Sequence, residues 1–90
     1  MRIPSQLKIG AIWWEVKQVD AADINDEGIV IGCQSERNQT IKIDRDLTQE
    51  MKEATLLHEI IHCIDAQLDH NLVEMLANQL FQVLKENKLI

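Results

Sequence analysis

Thr48-Gln-Glu-Met-Lys-Glu-Ala-Thr-Leu-Leu-His-Glu-Ile-Ile-His-Cys-Ile-Asp-Ala-Gln-Leu68 is the stretch on which the rest of the chain is read. Leu57, Ile60, Ile61, Ile64 and Leu68 recur at helical spacing, which predicts one amphipathic helix over Thr48 to Leu68 with that stripe against a core. Thr48 or Asp46 serves as its N-cap, and Gln49 and Glu50 fall in the first turn, where the helix dipole favours acidic groups. Within this helix lies His58-Glu59-Ile60-Ile61-His62, the pattern H-E-x-x-H.

Residues four apart on a helix share a face, so His58 and His62 can each offer an imidazole nitrogen to one cation. Glu59, turned by roughly 100° from His58, then stands beside that cation, where a carboxylate must be to take a proton from an activated water. The two histidines sit on the border between the core stripe and open surface, dry on one side and reachable on the other. A chance match in a chain of this length is on the order of one in a few hundred. The plainer alternative is two histidines that merely edge the core face.

Upstream the pattern is of strand type. Leu7 to Val19 reads as a strand in which Ile12, Trp14 and Val16 face the core and Glu15 and Lys17 face solvent, with Trp13 on the second face. Asp20 to Gly28 is an acidic loop. Its Asp23, Asn25, Glu27 and Gly28 imitate a calcium loop, but Gln34 stands where that loop needs a bidentate Glu, so a solvated turn is the better reading. Gly28 to Cys33 and Thr40 to Ile43 are two further strands joined by polar Ser35 to Asn38, with Ile41 and Ile43 facing the core.

Downstream, a break at Asp69-His70-Asn71 precedes a second helix, Leu72 to about Glu86, with Val73, Leu76, Ala77, Leu80, Phe81 and Leu84 on its apolar face. The expected fold is α+β, a three-stranded antiparallel sheet followed by two helices, in one domain over residues 1–90.

Composition narrows the function classes. The 90 residues carry a net charge of -6 and no basic cluster, which argues against nucleic acid and anionic membranes and favours a basic or neutral polypeptide as partner. The apolar run Gly10 to Trp14 is too short for a signal peptide or a membrane span, and a cytoplasmic location is expected. Cys33 and Cys63 lack C-x-x-C spacing and are expected as reduced, structural thiols, Cys63 towards the buried side. Oligomeric state is not legible.

A catalytic zinc site needs a third protein ligand and leaves its fourth position to water. Asp65 continues the histidine stripe but lies about 10 Å along the helix from His58, too far to share an ion. Glu74, at the border of the second helix's apolar face, fits better, and Asn78 one turn later can accept a ring N–H from a ligand histidine. The alternative for Glu74 is local. With Asn71 as N-cap, it would occupy the third position of a capping box and bond back to the cap.

With that assignment the chain resembles the gluzincin branch of zinc metallopeptidases, in which a Glu on the next helix completes H-E-x-x-H. It is most similar to the minimal, zincin-like members of about a hundred residues found among small bacterial, archaeal and phage proteins. The resemblance spans the sheet, Thr55 to His62 and the Glu74-x-x-x-Asn78 helix. It implies His58, His62 and Glu74 as zinc ligands, Glu59 as general base, and Asn78 where larger members place an Asp that orients the first histidine. It also implies an outermost strand, here Thr40 to Ile43, that pairs with an extended substrate. The chain has no Tyr, so His70 is the expected stand-in for a phenolic stabiliser of the transition state.

The expected function is a small zinc-dependent peptidase acting on a peptide or protein, with Glu59 as general base and activity weak or latent. The alternative is a zinc-stabilised binding or regulatory module without turnover.

Overall fold

The computed structural model describes residues 1–24 and 39–90. The strand expected at Gly28–Cys33, the Ser35–Asn38 loop, residues 25–28 of the acidic loop and Cys33 lie outside the described residues.

Gln6–Ile9 (β1) and Ile12–Val19 (β2) form an antiparallel hairpin in which Ile9 faces Ile12. Two strands therefore replace the single strand expected over Leu7–Val19. Gly10, with φ +63°, supplies the left-handed backbone that turns the chain. Thr40–Asp44 (β3) lies on the other side of β2 and runs parallel to it, with Val16 beside Ile41 and Gln18 beside Ile43.

The order β1-β2-β3 thus makes a mixed sheet, which corrects the antiparallel expectation. That expectation rested on a hairpin leading into Thr40. The stretch of about twenty residues between Val19 and Thr40 exceeds the dozen or so that a parallel return requires.

The alternation along the strands holds where a helix covers the sheet. Trp14, Val16, Ile41, Ile43 and Leu56 form the buried cluster, while Glu15, Lys17 and Lys42 are exposed on the other face. Ile12 shares parity with Trp14 but sits at the hairpin tip and is 45% exposed. Trp13 is 59% exposed.

Gln49–Ile64 (α1) begins at Thr48, whose hydroxyl accepts from the Met51 N–H at 3.2 Å. It ends four residues before Leu68, because Asp65 leaves helical geometry and its carboxylate accepts from the Gln67 N–H at 2.9 Å. The row facing the sheet is Glu53, Leu56, Ile60 and Cys63. The expected stripe is therefore rotated: Leu57 and Ile61 are half-buried outside the core cluster, and Ile64 is 66% exposed. A helix packed on both a sheet and a second helix buries more than one row, and hydrophobicity alone does not rank them.

Glu53, fully buried on that row, is the reason the true face was hidden. Its carboxylate accepts from Lys85 Nζ at 3.1 Å, the Met1 amino group at 3.2 Å and Gln49 Nε2 at 3.0 Å. Burial pushes its pKa up, but these three donors more than offset that and hold it below the ordinary value.

After the connection Asp65 to Asp69, His70–Glu86 (α2) packs against α1. Asp69 is the N-cap, accepting from the Leu72 N–H at 3.2 Å, so α2 starts two residues earlier than expected. Val73 and Ala77 are its buried anchors. Leu72, Leu76, Leu80 and Val83, beside them on the helix, are exposed. Among the described residues no helix is long and apolar enough to cross a membrane.

Candidate metal centre

Helical spacing brings His58 and His62 together on α1 with their Nε2 atoms 3.0 Å apart. Two nitrogens bound to one tetrahedral zinc at about 2.05 Å lie about 3.3 Å from each other, so a shift of a few tenths of an ångström converts one arrangement into the other. Without an ion, this contact requires one ring to donate and the other to accept.

The third imidazole comes from α2. His70 has its ring centroid 5.1 Å from that of His58 and 5.4 Å from that of His62, and its plane lies within 14° of His62's. One nitrogen from each of the three rings falls within 4.8 Å of the others, close enough for one metal ion. The start of α2 explains this. Capped by Asp69, the helix takes His70 as its first residue and directs it at α1, whereas a start at Leu72 would leave it in a loop.

The donor set suits a borderline-soft cation. Burial, followed by the neighbouring histidines, lowers the pKa of His58, with the Glu74 charge opposing; burial and then His70 lower that of His62. Both rings therefore favour the neutral, ligating form.

Glu59 is half-buried, and burial pushes its carboxyl up to about 7. It is not among the three clustered groups. It opens instead into a cleft of about 440 Å³ lined also by Ala54, Thr55, His58, Glu74 and Asn78. A carboxylate beside the imidazoles and at the edge of a cleft is placed to exchange a proton with a molecule bound there.

Glu74 and Asn78 therefore stand on the wall of the cleft that His58 shares. Glu74 is exposed and outside the group of three clustered side chains. With Asp69 as the cap, the third helical position is Leu72, so the capping-box alternative for Glu74 is removed. Asn78 makes no hydrogen bond to a histidine ring among the described residues.

The clustering of His70 with His58 and His62 is what the sequence reading, which placed His70 only as a transition-state stabiliser, missed. The clue is Asp69-His70 followed by Glu74: a capping residue, then a His and a Glu four apart, which repeats on α2 the spacing of the pair on α1. No family model, curated protein or solved structure matches the chain.

Proposed function

We propose that the chain is a small zinc-dependent peptidase of minimal gluzincin-like type, with its metal held between α1 and α2. His58 and His62 are the α1 donors, and α2 supplies His70 and Glu74. The convergence of three imidazoles beside a half-buried carboxylate at a cleft carries this reading.

A zinc ion held there would polarise a scissile carbonyl and lower the pKa of a water. Glu59 accepts the water's proton and returns it to the leaving amine. Glu59 follows His58 directly, so the helix fixes the base relative to the metal donors. Asn78, on the cleft wall, offers an amide to a substrate backbone. β3 is the outer strand of the described sheet and packs against α1, which suits it to add an extended peptide through main-chain hydrogen bonds.

A second reading, a zinc-stabilised module without turnover, draws on the number of available donors. Four protein donors would close a zinc site, and closed sites are structural. Metal analysis of the purified protein, with a peptide-library screen of the zinc-loaded form before and after chelation, tests both. The peptidase reading expects about one zinc per chain and cleavage that chelation abolishes and zinc restores. Zinc without cleavage of any library member supports the module, and absence of zinc removes both.

A further inference from the structure

We propose that the flank of α2 carrying Leu72, Leu76, Leu80 and Val83 is an interface on which a second copy of this chain docks, helix antiparallel to helix about a twofold axis. An interface there needs no metal and is independent of the peptidase reading.

The spacing of these residues makes them one surface. At 3.6 residues per turn the four side chains fall within about 80° of arc, immediately beside the row of Val73 and Ala77 that is buried. Each is 39–44% exposed. Together they leave about 300 Å² of apolar strip, a size at which a patch on a single chain marks an interaction site. Glu74 and Asn78 lie about 180° around the helix from the centre of the strip, so an occupant there leaves the cleft beside His58 open.

Charge selects the occupant. The chain carries a net charge of -6, so two copies repel wherever acidic surfaces meet. Between Asn71 and Leu84 the only charged residue is Glu74, which lines the cleft on the other side of the helix. The strip is therefore a surface on which two acidic copies can approach without opposing like charges, whereas a basic partner would find no complementary charge along it.

The order of residues along α2 is self-complementary in the antiparallel sense. The midpoint of the strip falls between Leu76 and Leu80, so Leu76 of one copy packs beside Leu80 of the other, and Leu72 beside Val83. Gln79, at the edge of the strip and close to that midpoint, meets its counterpart across the axis, and an amide both donates and accepts. Asp69, exposed just before the strip, comes near Lys88, exposed just after it, and the two helix dipoles oppose. A parallel pair would instead set Asp69 against Asp69 and Lys88 against Lys88.

The 17 residues of α2 span about 25 Å. Over that length the strip, Gln79 and the helix ends bury about 1,000 Å² across both copies, at the lower end of specific interfaces. A reversible dimer with a dissociation constant of about 10–100 μM is the expected result.

Sedimentation velocity of the full chain from about 5 to 500 μM tests this, with Leu76→Lys, Leu80→Glu, Leu76→Gln and Trp13→Ser as variants and circular dichroism to check the helix content of each. The parent should pass from monomer to dimer across the range. Leu76→Lys and Leu80→Glu should each weaken association by about 30-fold or more, and an equimolar mixture of the two should restore it, because antiparallel packing sets the new lysine beside the new glutamate. Leu76→Gln removes the apolar contact without adding charge and should also weaken the dimer. Trp13→Ser removes an exposed aromatic from the open face of the sheet and should leave the dissociation constant unchanged.

A parent that stays monomeric throughout would overturn the proposal, leaving the strip to a different occupant. Association unchanged in Leu76→Lys and Leu80→Glu, or lost in Trp13→Ser, would overturn it by placing the contact elsewhere. A mixture of folded Leu76→Lys and Leu80→Glu that stays monomeric would overturn the antiparallel pairing. Cleavage of peptides, present or absent, bears only on the peptidase reading.

Discussion

Replacing Glu59 by Gln separates a working carboxylate from a structural one, because the two roles predict opposite signs of stability change. Burial raises the Glu59 pKa from 4.5 to about 7. Its protonated form is therefore favoured in the folded chain. A group of this kind contributes its stability fully below pH 4.5, and that contribution is lost as pH rises through about 7. At about 1.36 kcal/mol per pKa unit, the loss above neutrality is at most about 3 kcal/mol, and partial solvent access reduces it to about 1–2 kcal/mol.

Glu59→Gln removes the ionisation while keeping the shape. In the metal-free protein the variant should be more stable than the parent by about 1–2 kcal/mol at pH 8, with the difference vanishing near pH 4.5. Urea unfolding at the two pH values measures it. The zinc-loaded variant should meanwhile lose about 10²- to 10⁴-fold in peptide hydrolysis, as loss of a general base does. Stability gained where activity is lost is the mark of a functional residue. A variant less stable than the parent at both pH values would show that the carboxylate is held for the fold, and the reasoning would fail.

Other outcomes follow from the packing. Lys85→Met removes one of three donors to buried Glu53 and should cost about 1–3 kcal/mol in chemical denaturation at pH 7. Because the Glu53 pKa is held below 4.5, the stability it contributes is present above that value and should fade as pH falls below it, less steeply in Lys85→Met than in the parent. Leu56→Ala should cost about 2–5 kcal/mol and Ile64→Ala well under 1 kcal/mol, measured by urea midpoint. A reversed order would restore the unrotated helix face. Asp69→Ala removes the cap that begins α2 at His70; it should cost about 1 kcal/mol and also weaken cobalt retention, whereas Thr48→Ala should cost a similar amount with retention unchanged.

Much of this architecture was legible in the residues. Ile41 and Ile43 alternate with Thr40 and Lys42, and period two is unambiguous when one face is fully covered. His58 and His62 were legible as a pair because the helix spacing alone joins them. The rotation of α1 was not. Leu56 and Leu57 are equivalent to any hydrophobicity count, and the buried row includes Glu53, whose burial depends on a lysine 32 residues away. The direction of β3 was not legible either, since strand pairing across a long connection has no local signature. His70 was misplaced by two residues of helix start, the difference between Asp69 and a later cap, and that difference brought a residue expected in a loop within reach of the histidine pair on α1.

The parallel pairing of β2 with β3 also sets the order in which the chain can assemble. Val16 and Ile41 meet only after the chain between them closes, a loop-closure entropy of about 3 kcal/mol for some twenty-five residues, paid before the pair returns anything. The β1–β2 hairpin and the α1–α2 pair close over far shorter spans and form on faster timescales. Closure of the β2–β3 register is then the slow step, and a shorter connection of equal composition would speed folding with little change in the final fold.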